Sequence, residues 1–196
     1  MKKTAYRPGV DLLVKEYASL LEGKRFGLIA HPASVDASGC PSATRLRARF
    51  GDGLASLFSP EHGFFGIAAA GEKVDSVRHP SWDIPVHSLY GKTRRPNRVM
   101  LDGLDALVFG LQDLSIRCYT YVSTLRYVLE AAAERGVTVI VCDRPNPLAG
   151  IVDGPLLDPR FESFVGNVPG PLVYGRTSGQ AARHQARVLN VKLDLT

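Results

Sequence analysis

Short apolar runs alternate with amphipathic segments along most of this chain. The apolar runs predict strands at residues 25–30, 55–58, 85–89, 104–110 and 137–142. The last of these is the clearest, because a continuous β-branched run is typical of a strand that is buried on both faces. Each run is short, so a polar residue that follows one strand can lie close to a polar residue that follows its neighbour.

Apolar residues at helical spacing predict four helices, over residues 10–22, 42–50, 120–135 and 178–190, with Ser178 as the cap of the last one. A glycine directly follows each of the first three segments, as is common where a helix ends. Strands that alternate with helices predict an α/β fold, in which a mostly parallel sheet carries helices on both faces.

Three further segments complete the predicted layout. Residues 64–84 show no regular spacing, and residues 143–175 are rich in proline and glycine, so both are expected to be irregular. Residues 191–195 predict a strand that begins just before the chain stops. The whole chain, residues 1–196, is therefore interpreted as a single domain.

Composition narrows the classes of partner. The 196 residues are 45% hydrophobic, which is enough for one core, and no stretch approaches the roughly 18 apolar residues of a membrane span. The net charge of +5 favours anionic partners in general. The basic residues are scattered and form no recognisable nucleic-acid-binding module, so we expect neither a membrane nor a nucleic acid as partner. Oligomeric state is left open, with a homo-oligomer among the options.

The first residues bear on where the protein works. Met1, Lys2 and Lys3 could begin a signal peptide, but the polar segment 6–11 stands where its apolar region would be needed. We therefore expect a cytoplasmic protein, or a periplasmic or secreted one if a leader has been removed. The three cysteines are odd in number and include no CxxC pair, which argues against a disulfide framework or a cysteine-rich zinc site.

Polar, turn-forming residues follow four of the predicted strands, at His31-Pro32, Pro60-Glu61-His62, Gln112-Asp113 and Asp143–Pro147. The carboxyl ends of parallel strands share one edge of an open sheet, and ligand sites lie at that edge. The pattern predicts a ligand site there. The chain contains no GxGxxG or GxxxxGK[ST] loop, so the fold does not imply a bound dinucleotide or nucleotide. The five histidines show no metal-ligand spacing, and no metal is expected.

Glu61 and His62 are the first catalytic candidates. They lie between Pro60, which restricts the backbone, and Gly63, which permits a positive φ, so the loop can be tight. A positioned carboxyl group at a cleft edge suits general acid or base catalysis. The alternative is a charged pair on a surface loop. Glu72 follows three small residues and could supply the second carboxylate that glycoside hydrolysis uses, or be a solvated loop residue.

A second group of candidates follows the predicted strand 104–110. Arg117 could bind a carboxylate through its planar fork, and Tyr119 and Tyr121 could stack on a sugar or donate hydrogen bonds. The alternative is that Asp113 and Arg117 pair with each other or cap the following helix. Asp143 and Asn146 lie in a rigid proline-containing exit, which could bind a ligand or be a simple turn.

Together, these segments resemble the exo-β-N-acetylmuramidase family of glycoside hydrolases. The resemblance extends in order and spacing from about residue 10 to the end of the chain. It is carried by the blocks Gly27–Asp36, Leu57–Gly66, Ala70-Gly71-Glu72, Pro85–Gly91, Gln112-Asp113, Arg117–Tyr121 and Asp143–Gly150. Two positions depart from the family pattern, because Gly110 stands where an acidic residue is frequent and Ile116 where a small residue is more usual.

The resemblance implies a substrate, a fold and site residues. The family releases N-acetylmuramic acid from the non-reducing end of peptidoglycan fragments, without an organic cofactor. Its fold is a Rossmann-like domain followed by a smaller second domain, so this chain is expected to be the Rossmann-like catalytic domain with the second domain largely missing. The glutamate of the family's Pro-Glu-His-Gly motif corresponds to Glu61, which is expected to act as general acid. Glu72 matches a second acidic position of the family. The partner of Glu61 is Glu72, or a water held by Asp113 or His62.

The lactyl carboxylate of muramic acid calls for a cationic contact, and Arg117 is the predicted one. An alternative reading is a catalytically silent module that binds muramic acid or a related sugar. A nucleotide-binding domain is a third reading, which the absent phosphate loop disfavours. The full set of expected substrate-binding residues is His31, Gln112, Asp113, Arg117, Tyr119, Tyr121, Asp143 and Asn146.

Overall fold

The computed structural model describes residues 6–196, so the possible signal-peptide start at Met1, Lys2 and Lys3 lies outside the described residues. Its main feature is a six-stranded sheet with the order β3-β4-β2-β1-β5-β6. All neighbouring strands are parallel except β3, which runs antiparallel to β4 at the edge. The strands are β1 Phe26–Ile29, β2 Leu54–Ser59, β3 Val77–Arg78, β4 Pro85–Ser88, β5 Ala106–Phe109 and β6 Thr138–Val141.

Helices cover both faces of this sheet. The helices are α1 Gly9–Lys15, α2 Ser42–Phe50, α3 Arg98–Leu101, α4 Thr120–Arg135 and α5 Ser178–Val188. One apolar cluster packs α1 and α2 against one face, and a second packs α4 and α5 against the other. Strand residues alternate between the two clusters, so that Leu28 and Val108 face one and Ile29 and Leu107 face the other. This arrangement confirms the predicted α/β fold.

The first predicted helix is shorter than its spacing suggests. Helix α1 ends at Lys15, and a separate 3-10 turn covers Ala18–Leu20. The apolar stripe of the prediction includes Tyr17, but this side chain is 53% exposed and does not anchor the helix to the core. The 3-10 turn rotates the chain so that Leu21 is buried instead.

The predicted cap of the last helix is displaced by one residue. Thr177, and not Ser178, is the N-cap of α5: its hydroxyl accepts the Gln180 amide, while the Gln180 side chain accepts the Thr177 amide. Such reciprocal bonds satisfy two otherwise unpaired donors at the helix start. The predicted strand at 191–195 is reduced to a parallel bridge between Leu195 and the β6 residue Val139.

A small antiparallel ribbon stands apart from the main sheet. It pairs β7 Asp153–Leu156 with β8 Pro171–Val173, inside the stretch expected to be irregular. Every residue of β7 is exposed, so the strand has no apolar face and leaves no alternating pattern in the sequence. An isolated bridge between Ile116 and Val173 connects the ribbon to the segment after β5.

Strand order decides which of the strand exits lie close together. Strand β2 lies between β4 and β1, so its exit at Glu61 is flanked by Tyr90 after β4 and His31 after β1. The exit of β6 shares the same edge but lies three strands from β2, which corresponds to about 14 Å at normal strand spacing. The expected common edge is present, while Asp143 and Asn146 belong to its far side.

Candidate active site

The loop after β2 is built on consecutive left-handed residues. His62 has φ 69° and Gly63 has φ 82°. Glycine adopts this conformation freely, whereas histidine does so at a cost of roughly 1 kcal/mol or more, so local contacts must hold it. They do so here, because the Ala68 amide donates to the His62 carbonyl at 3.2 Å, and the His62 ring nitrogen Nδ1 lies 3.1 Å from the Ala68 carbonyl.

This loop directs the Glu61 side chain toward several hydrogen-bond donors. Its Oε2 accepts the Thr120 hydroxyl at 2.7 Å, and its Oε1 accepts the Gly71 amide at 2.9 Å. The hydroxyl of Tyr90 is close enough to this carboxylate to help lower its pKa. The Tyr121 hydroxyl donates to the Glu61 backbone carbonyl at 3.4 Å, which ties the loop to α4. Donors from separate segments of the chain therefore converge on one half-buried carboxylate.

These contacts set the ionisation of Glu61. Burial by itself would raise the pKa of the carboxyl group, but hydrogen bonds from Thr120 and Gly71, the nearby Tyr90 hydroxyl and the charge of His62 outweigh burial and lower it. The carboxylate also lies at the first turn of α4, where the helix dipole favours negative charge. Glu61 is therefore ionised in the unliganded site at neutral pH.

Glu72 belongs to the same assembly through the turn 69–72. Its Oε2 accepts the Ala69 amide at 2.8 Å, which closes the turn. The turn presents the amide of Gly71, whose φ of 76° is one that residues with a Cβ rarely adopt. The two acidic residues predicted from the sequence are thus brought together, with Glu61 held by the turn and Glu72 exposed on it.

An aromatic wall stands beside the Glu61 loop. The His31 ring lies 6.2 Å from the His62 ring and 5.7 Å from the Tyr121 ring, and Tyr121 lies 4.9 Å from Tyr119, measured between centroids. Burial, and next the charge of His62, lower the pKa of His31, so this ring is neutral. Burial also raises the pKa of Tyr119 and Tyr121, which keeps both hydroxyl groups protonated and able to donate.

Arg117 occupies a different place from the one predicted. Its buried Nη1 donates to the carbonyls of Pro155 at 3.2 Å and Gly170 at 2.6 Å, and its backbone amide donates to Leu172. The side chain therefore holds the β7–β8 ribbon through backbone carbonyls. Its contact with a substrate carboxylate stays a prediction. The alternative pairing with Asp113 is not formed, since Asp113 instead accepts the Tyr174 hydroxyl.

The exits of β5 and β6 are joined by a network of their own. Gln112 donates to the Pro145 carbonyl at 3.0 Å and accepts Arg144 Nε at 2.8 Å. Asp143 accepts the Thr177 hydroxyl at 2.7 Å and the Gly179 amide at 2.9 Å, which fastens the start of α5. The predicted ligand contacts of Gln112 and Asp143 are untested, and their hydrogen bonds in this structure are internal.

Two more predicted residues belong to this network. Asn146 accepts the Leu148 amide at 3.1 Å and donates to the Arg176 carbonyl at 3.4 Å. Burial raises the pKa of Asp113 more than the hydrogen bond from Tyr174 lowers it. The internal bonds of Asn146 and Asp113 give both residues a structural role, and any contact with a ligand stays a prediction.

Two cavities lie near the strand exits. One, of about 270 Å³, adjoins the Glu61 loop and is lined by Ser59, His62, Glu72 and Val86 among others. A larger cavity of about 450 Å³ lies beyond β6, next to α1, and its lining is mostly apolar. We place the site at the smaller cavity, because two predicted catalytic residues, His62 and Glu72, line it.

Tyr90 and Thr120 are absent from the sequence-based set, although both contact the Glu61 carboxylate. Tyr90 directly follows the predicted strand 85–89, so counting that exit with the other four would have found it. Thr120 is the first residue of α4, a position where a threonine is common for reasons of helix structure alone. No pattern in the sequence distinguishes it from a cap.

Within residues 6–196, no group of three or more His, Cys, Asp or Glu side chains is arranged to hold a metal ion. None of the helices in this part of the chain is both long and apolar enough to cross a membrane.

Solved structures and a characterised protein resemble this chain. Two DUF1343 family proteins from Bacteroides fragilis NCTC 9343, known from crystal structures, superpose with TM-scores of 0.86 and 0.82 at 35% and 28% identity. They match 96% and 97% of this chain, which in turn covers 49% and 50% of theirs. The peptidoglycan beta-N-acetylmuramidase NamZ of Bacillus subtilis (strain 168) is 43% identical over all 196 residues.

This chain spans 47% of the Bacillus protein, and so about half the length of the relatives it matches. Residues 26–196 match the model of the N-terminal part of the exo-beta-N-acetylmuramidase NamZ family. The match takes in Glu61, its donors and the aromatic wall. Because the family model covers most of the chain and the crystal structures share its fold, the chain belongs to the exo-beta-N-acetylmuramidase NamZ family.

Proposed function

We propose that this protein is a glycoside hydrolase that releases N-acetylmuramic acid from the non-reducing end of peptidoglycan fragments, with Glu61 as its catalytic carboxylate. The observation that carries the proposal is the Glu61 carboxylate itself, held at the carboxyl edge of a parallel sheet by donors from separate segments. The Bacillus relative, a peptidoglycan beta-N-acetylmuramidase, supports the substrate class.

The ionised state of Glu61 bears on its role. Glycoside hydrolysis uses one carboxyl group as a proton donor and a second, ionised one as nucleophile or base. The donors around Glu61 lower its pKa and so favour the second role. The general-acid role expected from the sequence would need a protonated carboxyl, which the same donors disfavour. We therefore assign Glu61 to the ionised partner, which faces the anomeric carbon or the water that attacks it.

Glu72 is the proposed proton donor. It is exposed on the turn that gives the Gly71 amide to Glu61, so a substrate in contact with one carboxyl group is close to the other. In the reaction the bond from the anomeric carbon to the leaving oxygen breaks, and that oxygen takes the proton of Glu72. A water molecule supplies the new bond to the anomeric carbon, and its proton passes to a carboxylate of the pair.

The surrounding side chains suit a sugar. Neutral His31 and the protonated hydroxyls of Tyr119 and Tyr121 offer hydrogen bonds, and their rings offer apolar faces beside Glu61. Sugars present both hydroxyl groups and apolar ring faces, so a wall of this kind can bind them. The proposal therefore extends to His31, Tyr119 and Tyr121 as binding residues.

The test is hydrolysis of a chromogenic N-acetylmuramic acid glycoside. Glu61→Gln should lower the rate at least about a hundredfold, the lower end of what a positioned acid or base contributes. The control is Glu22→Gln, which makes the same change of charge at an exposed residue just before β1, at the opposite edge of the sheet. Unchanged activity in Glu61→Gln would contradict the assignment of Glu61.

A binding measurement separates the enzyme from the silent sugar-binding module. The wild-type chain is titrated with N-acetylmuramic acid, and turnover of the chromogenic glycoside is measured in parallel. Binding with turnover supports the hydrolase. Binding without turnover in this chain, which spans about half of its relatives, assigns it the module role instead.

A further inference from the structure

Arg94 is an exposed cation set on two aromatic rings. Its guanidinium carbon lies 5.0 Å from the centroid of Tyr90 and 4.4 Å from that of Phe164. Phe164 is itself buried and stacks on Tyr127 at 5.8 Å, so the surface beneath the guanidinium is fixed. A guanidinium held by its face keeps its N–H groups free to bind a planar anion at its edge.

The same tyrosine links this cation to the catalytic carboxylate. Tyr90 and Glu61 each lie two residues beyond the paired strand ends Ser88 and Ser59, and the Tyr90 ring carries the guanidinium of Arg94. One side chain therefore separates Arg94 from Glu61. A sugar with its anomeric carbon at Glu61 would bring its ring substituents toward Arg94.

Four other arginines around the site and the strand exits are already occupied. Arg117 donates to the carbonyls of the ribbon, and Arg144 donates to Gln112 and to a backbone carbonyl. Arg126 pairs with two glutamates, and Arg95 pairs with one. In contrast, no carboxylate oxygen in residues 6–196 lies within 4.0 Å of an Arg94 nitrogen, so its positive charge is uncompensated.

We propose that Arg94 binds the lactyl carboxylate of a muramic acid residue held at Glu61, and so selects this sugar over uncharged glucosamine. The inference rests on the proposed function and replaces Arg117 in the role expected from the sequence. The carboxylate accepts the guanidinium N–H groups, and no covalent step is involved. Because the site is open to water, the gain from this charged pair is expected to be about tenfold in affinity.

The experiment compares two ligands that differ in one charge. The 196-residue chain is titrated by NMR or calorimetry with N-acetylmuramic acid and with its methyl ester, in which the lactyl carboxylate is neutral. The wild type should bind the acid about tenfold more tightly than the ester, and Arg94→Met should bind both equally. Lys92→Met is the matched control, since it removes an exposed cation two residues away and should keep the preference.

The outcomes separate this inference from the proposed function. If Arg94→Met keeps the tenfold preference for the acid, Arg94 does not bind the carboxylate, and the proposed function is untouched. If the wild type binds neither ligand, the proposed substrate is wrong and the inference fails with it. If Arg94→Met does not fold, Arg94→Lys is used. This variant keeps the charge without the fork and should retain only part of the preference, whereas full retention would contradict bidentate binding.

Discussion

The exit of β2 and the exits of β5 and β6 have similar polar sequences but different chemistry. At β2, donors from separate segments converge on the half-buried Glu61 carboxylate, and the following residues, His62 and Gly63, line a cavity. At β5 and β6, Gln112 bonds to the loop after β6, and Asp143 bonds to the start of α5. A polar strand exit can therefore hold a single carboxylate at the sheet edge, or form a joint, that is, a set of internal hydrogen bonds that fastens one element to another. The difference lies in whether the hydrogen bonds gather around one carboxylate or fasten one element to another.

The comparison predicts that the residues of the joint after β5 and β6, Arg117, Asp143 and Asp113, affect stability more than activity. The largest effect is expected for Arg117→Met, which leaves the carbonyls of Pro155 and Gly170 without their donor. Loss of charge-assisted bonds at a buried residue should lower the free energy of unfolding by about 3 kcal/mol. The preference for N-acetylmuramic acid over its methyl ester should persist in the folded variant, because Arg94 supplies it.

Urea unfolding followed by circular dichroism measures the stability effect. The matched control is Arg160→Met, which removes an exposed arginine from the segment between β7 and β8 and should leave the unfolding midpoint in place. If Arg117→Met instead loses the preference for N-acetylmuramic acid over its methyl ester while its stability is unchanged, Arg117 binds the carboxylate. The distinction between the site and the joint would then not hold at this residue.

The next effect is expected at Asp143. Asp143→Ala removes the acceptor of the Thr177 hydroxyl and of the Gly179 amide, so the start of α5 loses two of its bonds. The loss should lower the free energy of unfolding by about 2 kcal/mol, as for a missing helix cap plus one further hydrogen bond. Asp143→Asn keeps one acceptor oxygen and should lose about half as much. A large loss of sugar binding in a stable Asp143→Ala protein would place Asp143 in the site.

Thr120→Val tests the role of the donors at the Glu61 site. Removing the Thr120 hydroxyl takes away a hydrogen bond that favours the ionised carboxyl, so the pKa of Glu61 should rise. If Glu61 works in its ionised form, the acidic limb of the pH–rate profile moves to higher pH, and activity falls several-fold on that limb while changing little at its plateau.

The alternative outcome is equally specific. A general acid works in its protonated form, so the same rise in pKa would extend activity to higher pH on the basic limb. Thr124→Val is the control, because Thr124 lies one turn further along α4 and its hydroxyl bonds only a backbone carbonyl. A profile that does not move in Thr120→Val would mean that the Glu61 carboxyl does not set either limb.

Burial explains how much of the fold the sequence could predict. Three of the five parallel strands, β1, β5 and β6, are almost wholly apolar, and each of the five lies within two residues of its expected place. The ribbon β7–β8 was beyond prediction, because it is pinned by Arg117 through backbone carbonyls and has an exposed strand without an apolar pattern. The helix expected to reach residue 22 is wrong because Tyr17 points into solvent.

The sequence predicted individual candidate residues, but it could not predict which of them lie close together. The strand-exit rule places His31 and Glu61 at one edge, and the structure brings them together with His62, Tyr119 and Tyr121. Strand order is a long-range property that local patterns do not encode, so Asp143 could not be separated from Glu61. The positive φ of His62 and the turn that carries Gly71 likewise arise from contacts distant in sequence.

The smallest expected effect concerns Asp113 and depends on pH. Burial raises the pKa of Asp113 in the folded protein above that of the unfolded chain. Between these two values the folded state holds a proton that the unfolded state has lost, so stability due to this group falls as the pH rises. Asp113→Asn cannot ionise, and its amide oxygen can still accept the Tyr174 hydroxyl. The variant should therefore gain stability relative to the wild type as the pH rises from about 4 toward neutral.

Urea unfolding of both proteins at pH 4, 5.5 and 7 measures this difference. Glu61 has the opposite sign, because its pKa is lowered and its contribution is lost as the pH falls, but it is present in both proteins and cancels. A difference that stays constant with pH would mean that Asp113 titrates alike in the folded and unfolded states. Asp113 would then be accessible to solvent, as Glu61 is, and the contrast between a buried joint and an open site would fail at this residue.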